Sequence, residues 1–157
     1  MNTLVLGIGN EILGDDGVGI QIAREVASRI DTAGVDVKET RAAGINLLEI
    51  IRGYRRLIIA DAILTTATET GKIHRIGIDS LDTTGQAFTP HGASLKTVLE
   101  LGEILFPGQM PKQVVIFAVE TGDVDSVTDE MSKNVAAAVP VTVQLILDEL
   151  AAEKVKS

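Results

Sequence analysis

The stretch Leu4-Val5-Leu6-Gly7-Ile8-Gly9-Asn10-Glu11-Ile12-Leu13-Gly14-Asp15-Asp16-Gly17-Val18-Gly19 decides the fold. An apolar strand runs into a glycine-punctuated loop, and two acids open the next helix. Gly7, Gly9, Gly14, Gly17 and Gly19 allow backbone approaches that a Cβ would block. In an open α/β sheet, ligands collect at the carboxyl ends of the strands, where these acids fall. A dinucleotide fingerprint fails on spacing, because its third glycine would be Ile12, and paired carboxylates would repel a pyrophosphate. Asp15 is expected to be the N-cap of the helix, and Asp16 either a favourable first-turn charge or a functional acid.

Outward from that stretch, Val18, Ile22, Ala23, Val26, Ala27 and Ile30 recur at helical spacing and predict a helix from Asp15 to Ile30. Val35 to Glu39 alternates as a strand, and Ile45, Leu48 and Ile51 mark the inner face of a short helix. Arg55 to Ala62 is an apolar run of the kind buried on both faces of a parallel sheet, with Asp61 at its carboxyl end. Lys72 to Ile76, interleaved with charge, predicts an edge strand that runs antiparallel, and its His74 is expected on the solvated surface. A helix over Gly92 to Phe106 has Leu95, Val98, Leu99, Leu105 and Phe106 on its core face. Gln113 to Val119 is a further buried strand, ending at Glu120. Thr128, Asp129 and Glu130 read as the cap and first turn of a last helix reaching Leu150, which Pro140 should kink or restart.

Strands and helices alternate without repeat or linker. The expectation is a single three-layer α/β/α domain over 1–157, with a mostly parallel twisted sheet of about five strands. The formal charge of −8 opposes nucleic-acid binding. Without cysteine, disulfides, thiolate metal sites and cysteine nucleophiles are excluded. No apolar run is read as spanning a bilayer and no leader precedes the first strand, so the expected compartment is the cytoplasm, with no membrane partner.

Asp16 after the first strand, Asp61 ending the third and His91 before the following helix fall where this fold gathers functional groups. Two carboxylates and an imidazole form an oxygen/nitrogen donor set suited to a borderline divalent ion such as Ni²⁺, Zn²⁺ or Mn²⁺. Each has a structural reading beside it: a loop cap for Asp61, a backbone hydrogen bond for His91, a helix-dipole charge for Asp16. Glu120, also at a strand's carboxyl end, reads first as structural.

Leu6 to Gly19, Leu57-Ile58-Ile59-Ala60-Asp61-Ala62 and Pro90-His91-Gly92-Ala93-Ser94-Leu95 resemble the three signature blocks of the [NiFe]-hydrogenase maturation endopeptidases. The resemblance implies an endopeptidase that removes the C-terminal tail of the hydrogenase large-subunit precursor after nickel insertion. Asp16, Asp61 and His91 match the family's nickel-binding positions, and the nickel is implied to be supplied by the precursor. Asp16 stands where some relatives carry Glu. Glu39, Thr40 and Arg41 occupy the segment that the resemblance links to substrate choice, where several relatives read Asp-Gly-Gly-Thr. Either the metal acts on the scissile carbonyl or on water, or it positions the substrate while Asp16 or Asp61 serves as base. The sequence has no His-Glu-x-x-His and no Gly-x-Ser-x-Gly.

The main alternative is a non-catalytic metal-binding or chaperone-like module. A phosphoacceptor receiver-like domain shares Asp15, Asp16 and Asp61 but lacks the lysine after its fifth strand, where Glu120-Thr121 stands. Peptidyl-tRNA hydrolases share a Gly-x-Gly-Asn loop, yet they need a basic face that this chain lacks.

Overall fold

The first strand, β1 (Thr3–Ile8), is buried along its whole length, as an apolar run between two neighbours must be. The computed structural model describes residues 2–30, 33–65, 69–77, 87–88, 95–122 and 126–156. A 3-10 turn (Gly14–Gly17) leads into α1 (Val18–Arg29), followed by β2 (Val35–Thr40) and, after a second 3-10 turn, α2 (Leu48–Ile51). Then come β3 (Arg56–Thr65), β4 (Ile73–Gly77), β5 (Ala87–Phe88), α3 (Leu95–Leu105), β6 (Gln113–Glu120) and α4 (Lys133–Lys156).

The main sheet has the order β2-β1-β3-β6-β4. β2, β1, β3 and β6 are mutually parallel, and β4 closes the edge antiparallel to β6, as the charge interleaving predicts. β5, unforeseen because 79–90 has no period, pairs antiparallel with the end of β3 through Leu64↔Phe88.

Strand alternation sorts the core into two layers. On one face Val5, Ile58, Phe117 and Val119 meet Val18, Ile22 and Val26 of α1 and Val135, Val139 and Val143 of α4. On the other, Leu4, Leu6, Leu57, Ile59, Ile63, Ile116 and Ala118 meet Leu48 and Ile51 of α2 and Leu95 and Val98 of α3. Burying each large aliphatic side chain contributes about 1.5–3 kcal/mol, so an almost wholly aliphatic core suffices.

Several expectations are corrected. α1 begins at Val18, not Asp15, because a tighter 3-10 turn occupies the acidic segment. Ile45 and Leu105 are exposed, at 59% and 52%, since each lies at a helix end beyond the layer it faces. Ala27 is also exposed. β3 runs four residues past Asp61, to Thr65, because β6 and β5 continue to pair with it after β1 has ended. Thr128 Oγ1 accepts the Glu130 amide at 3.1 Å in a loop, and α4 starts only at Lys133. Pro140 lies inside α4 without ending it. By length and composition α4 is apolar enough over Lys133–Ala152 to cross a membrane, contrary to the sequence reading. Its Val135, Val139, Val143 and Ile146 are nevertheless buried against the sheet.

Candidate active site at the rim of the sheet

Where β1 ends, the chain folds back on itself. The Asn10 amide donates to the Asp16 carbonyl at 3.2 Å and to Asp16 Oδ2 at 3.0 Å. A Cβ at Gly9 would lie 2.0 Å from the Asp16 carbonyl oxygen, so only glycine lets this return occur. One turn later α1 descends onto the strands: a Cβ at Gly19 would lie 2.3 Å from the Ala60 carbonyl oxygen and 2.4 Å from that of Ile8. These contacts seat the Asp16 segment against β3, close to the end of the β1 ladder.

Asp61 is the first residue of β3 beyond that ladder, whose last pair is Gly7↔Ala60. It is therefore mid-strand toward β6 yet at the rim toward β1. Its Oδ1 accepts the Ala62 amide at 2.8 Å. Asp16 and Asp61 are 5% and 2% exposed. A carboxylate offers about four lone-pair directions, so accepting main-chain amides remains compatible with holding a cation. Two carboxylate groups of this kind suit a borderline divalent ion when an imidazole joins them. His91 lies outside the described residues, and among the described residues no group of three or more His, Asp or Glu side chains converges as a metal site.

Asp15 is not the expected N-cap: Leu13 and Gly17 occupy the cap positions of the 3-10 turn and α1, with no side-chain cap bond. Instead its 1%-exposed carboxylate accepts the Gly122 amide and both the amide and hydroxyl of Ser132. Main-chain bonds extend the same junction. Gly14 N donates to the Thr128 carbonyl at 2.9 Å, and Thr128 N to that of Ile12 at 2.8 Å.

Glu39 and Thr40 end β2 beside this loop, and Arg41 follows them. With Glu11 and Ile20 they line a cleft of about 200 Å³. Arg24 of α1 organises it, pairing Nη2 with Glu39 Oε1 at 2.8 Å and Nη1 with Glu11 Oε2 at 2.9 Å. The hydrogen bond with Glu39, then that with Glu11, holds the Arg24 guanidinium still more firmly protonated than usual. Arg41 adds a looser contact to Glu11 at 3.8 Å. Thr40 Oγ1 accepts the Ala42 amide at 2.9 Å.

The sequence reading missed one pairing. Glu120, 1% exposed at the end of β6, receives His74 Nε2 at 3.1 Å on Oε1 and the Glu69 amide on Oε2. His74 is consequently no free surface residue; its side chain is 26% exposed. The period-2 pattern that put Ile76 on the inner face also put His74 there, a signal obscured by the charges of Lys72 and Arg75.

A family model for hydrogenase maturation protease (HycI) matches residues 20–149, which include Asp61 and His91 and begin just after Asp16. The hydrogenase 2 maturation protease of Escherichia coli K12 is 30% identical over 121 residues, covering 76% of this chain and 73% of that protein. The structure of the Escherichia coli hydrogenase maturating endopeptidase HybD superposes with a TM-score of 0.80 at 25% identity, covering 98% of this chain and 94% of that one. The HybD [NiFe]-hydrogenase maturation protease of Thermococcus kodakarensis shares the fold, with a TM-score of 0.75 at 23% identity over 96% and 99% of the two chains.

Proposed function

Because the chain belongs to the hydrogenase maturation protease family, we propose that it is the endopeptidase that removes the C-terminal tail of a [NiFe]-hydrogenase large-subunit precursor once nickel is in place. Nickel here is cargo of the substrate, read by Asp16, Asp61 and His91. The observation that supports the reading is the burial of two carboxylates, Asp16 in the turn that follows β1 and Asp61 where β3 passes the end of the β1 ladder. Each of the two accepts a main-chain amide and, with about four lone-pair directions per carboxylate, is still able to take a cation, which a nickel-loaded substrate supplies only when loading is complete. Metal contact then licenses cleavage.

Within this reading Asp16 and Asp61 hold the substrate's nickel and orient the attacking water, while the metal supplies Lewis acidity near the scissile carbonyl. Glu39, Thr40 and Arg41, framing the cleft beside the loop, select the precursor. The net charge of −8 is consistent with a protein partner rather than a nucleic acid, and we assign the work to one domain over 1–157 acting in the cytoplasm.

The test is incubation of the purified protein with nickel-loaded and nickel-free precursor, reading the precursor's C-terminus by intact mass. Loss of a tail from the loaded form alone is the expected result. An intact tail on both, with capture of the precursor retained, would instead mark a non-catalytic binding module.

A further inference from the structure

Asp61 and His74 both pair with Ala118 of β6, Asp61 from β3 and His74 from β4. All three share the sheet face that carries Ile59, Ile63 and Ile116, because side chains on paired residues point the same way. The two strands lie on either side of β6, so the Cα atoms of Asp61 and His74 are about 10 Å apart, with a methyl group between them on the row. Glu120 stands two residues further along β6 on the same face and holds His74 Nε2. An ionised carboxylate only accepts, so in the neutral ring Nε2 carries the hydrogen and Nδ1 keeps its lone pair.

We propose that His74, oriented by Glu120, is the proton carrier of the cleavage reaction. The inference rests on the function proposed above. Carboxylates engaged on a cation are poor bases, so a reaction that uses Asp16 and Asp61 for the metal needs another group to move the proton. As water's oxygen forms its bond to the scissile carbonyl carbon, its proton passes to His74 Nδ1. When the C–N bond breaks, that proton passes to the leaving amine nitrogen, giving a free carboxyl end and a free tail peptide. Glu120 is a positioning residue: it fixes the ring and stabilises the transient imidazolium. Among the described residues, the other charges at this corner are Lys72 and Glu69, paired with each other at 3.2 Å on the turn before β4, and Arg75, which pairs with Glu149 of α4 at 2.6 Å.

The experiment uses the nickel-loaded precursor with wild type, His74→Gln, Glu120→Gln and, as a control outside the site, Arg75→Gln, with circular dichroism for folding. His74→Gln is expected to lower kcat about a hundredfold or more while KM stays near wild type. In Glu120→Gln the amide oxygen still accepts from Nε2 but the counter-charge to the transient imidazolium is gone, so kcat is expected to fall about tenfold while KM stays near wild type. Arg75→Gln cleaves as wild type does. Cleavage by His74→Gln within about threefold of wild type overturns the proposal while leaving the protease reading intact. A kcat unchanged in Glu120→Gln overturns it too, and decides alone should His74→Gln not fold. Failure of wild type itself to cut the loaded precursor overturns the reading beneath, and the proton carrier with it.

Discussion

Asp15 grips Ser132 twice, its Oδ1 accepting the Ser132 amide at 2.6 Å and its Oδ2 the Ser132 hydroxyl at 2.5 Å. The first loop after β1 is thereby tied to the residue that precedes the last helix, more than a hundred positions away, and Gly122 is held from the same carboxylate at 3.1 Å. Asp15 organises the rim on which its neighbour Asp16 stands. Asp15→Ala should cost about 1–3 kcal/mol because it orphans these donors, and Ser132→Ala about 1 kcal/mol. Urea unfolding midpoints check both, and a midpoint unchanged in Asp15→Ala would show the clamp to be idle.

The contact of α1 with β1 is made by glycines. A Cβ on Gly7 would sit 2.3 Å from the Gly19 carbonyl oxygen. Gly7→Ala and Gly19→Ala should each destabilise by about 1–3 kcal/mol as the helix is pushed off the sheet. Gly77, with open space around its Cβ position, should accept alanine within about 0.5 kcal/mol. Thermal melts of the three variants measure the contrast.

Asp16→Ala should remain folded, since Asp16 sits in a 3-10 turn at the rim and the Asn10 amide it holds also reaches the Asp16 carbonyl, and both Asp16→Ala and His91→Ala should lose nickel-dependent recognition of the precursor. Asp61→Ala is expected to lose both recognition and some stability, because its Oδ1 also satisfies the Ala62 amide. Affinity for nickel should fall as pH drops through ~6.5, since only neutral imidazole coordinates. Isothermal titration with Ni²⁺ across that range, wild type against His91→Ala, reads the difference; a pH-independent wild type would remove His91 from the site.

Arg24→Gln should leave the melting temperature near wild type, because an exposed ion pair adds little to stability. Its effect should appear in choice of substrate: with Glu39 and Glu11 released, the cleft beside β2 loses its shape and the rate on the cognate precursor falls more than that on a non-cognate one. Competition between two precursors in one tube, scored by mass, reports this, and an unchanged ratio would take the cleft out of recognition.

Tyr54 gives a pH effect of known sign. Burial, then the hydrogen bond to Asp36 at 2.6 Å, raises its pKa above the usual phenol value. The folded state holds this proton more tightly than the unfolded chain, so the contribution is complete below about pH 10 and disappears as pH rises through the raised value. Wild type should lose stability relative to Tyr54→Phe in alkaline urea titrations and show no such divergence near neutrality.

How much of this was legible depended on whether the signal was local. The run from Leu57 to Ala60, apolar without alternation, announced a strand buried on both faces, and the charges around Ile73 and Ile76 announced an edge. The place of Asp16 at the rim after β1 was legible because glycines fix where the chain turns, whereas Asp61 was expected at the end of a strand that in fact runs on to Thr65. Asp15 misled, since an acid at a helix start is the same letter whether it caps that helix or reaches to Ser132. His74 was misread as a surface residue for the same reason: its pairing with Glu120 is set by strand order β6-β4, which no short window of sequence contains. Leu105 fitted the helical period, but period says which side of a helix is apolar, not where the opposing layer stops.

The bridge of Leu13 with Thr128 is made by main-chain atoms. Peptide groups are common to all residues, so side chains on the outer strip of that loop, such as Val127 at 80% exposure, can be exchanged while the seam stays closed. A lineage that acquires a new client can therefore redecorate this outer strip by single substitutions, leaving the carboxylates behind it undisturbed.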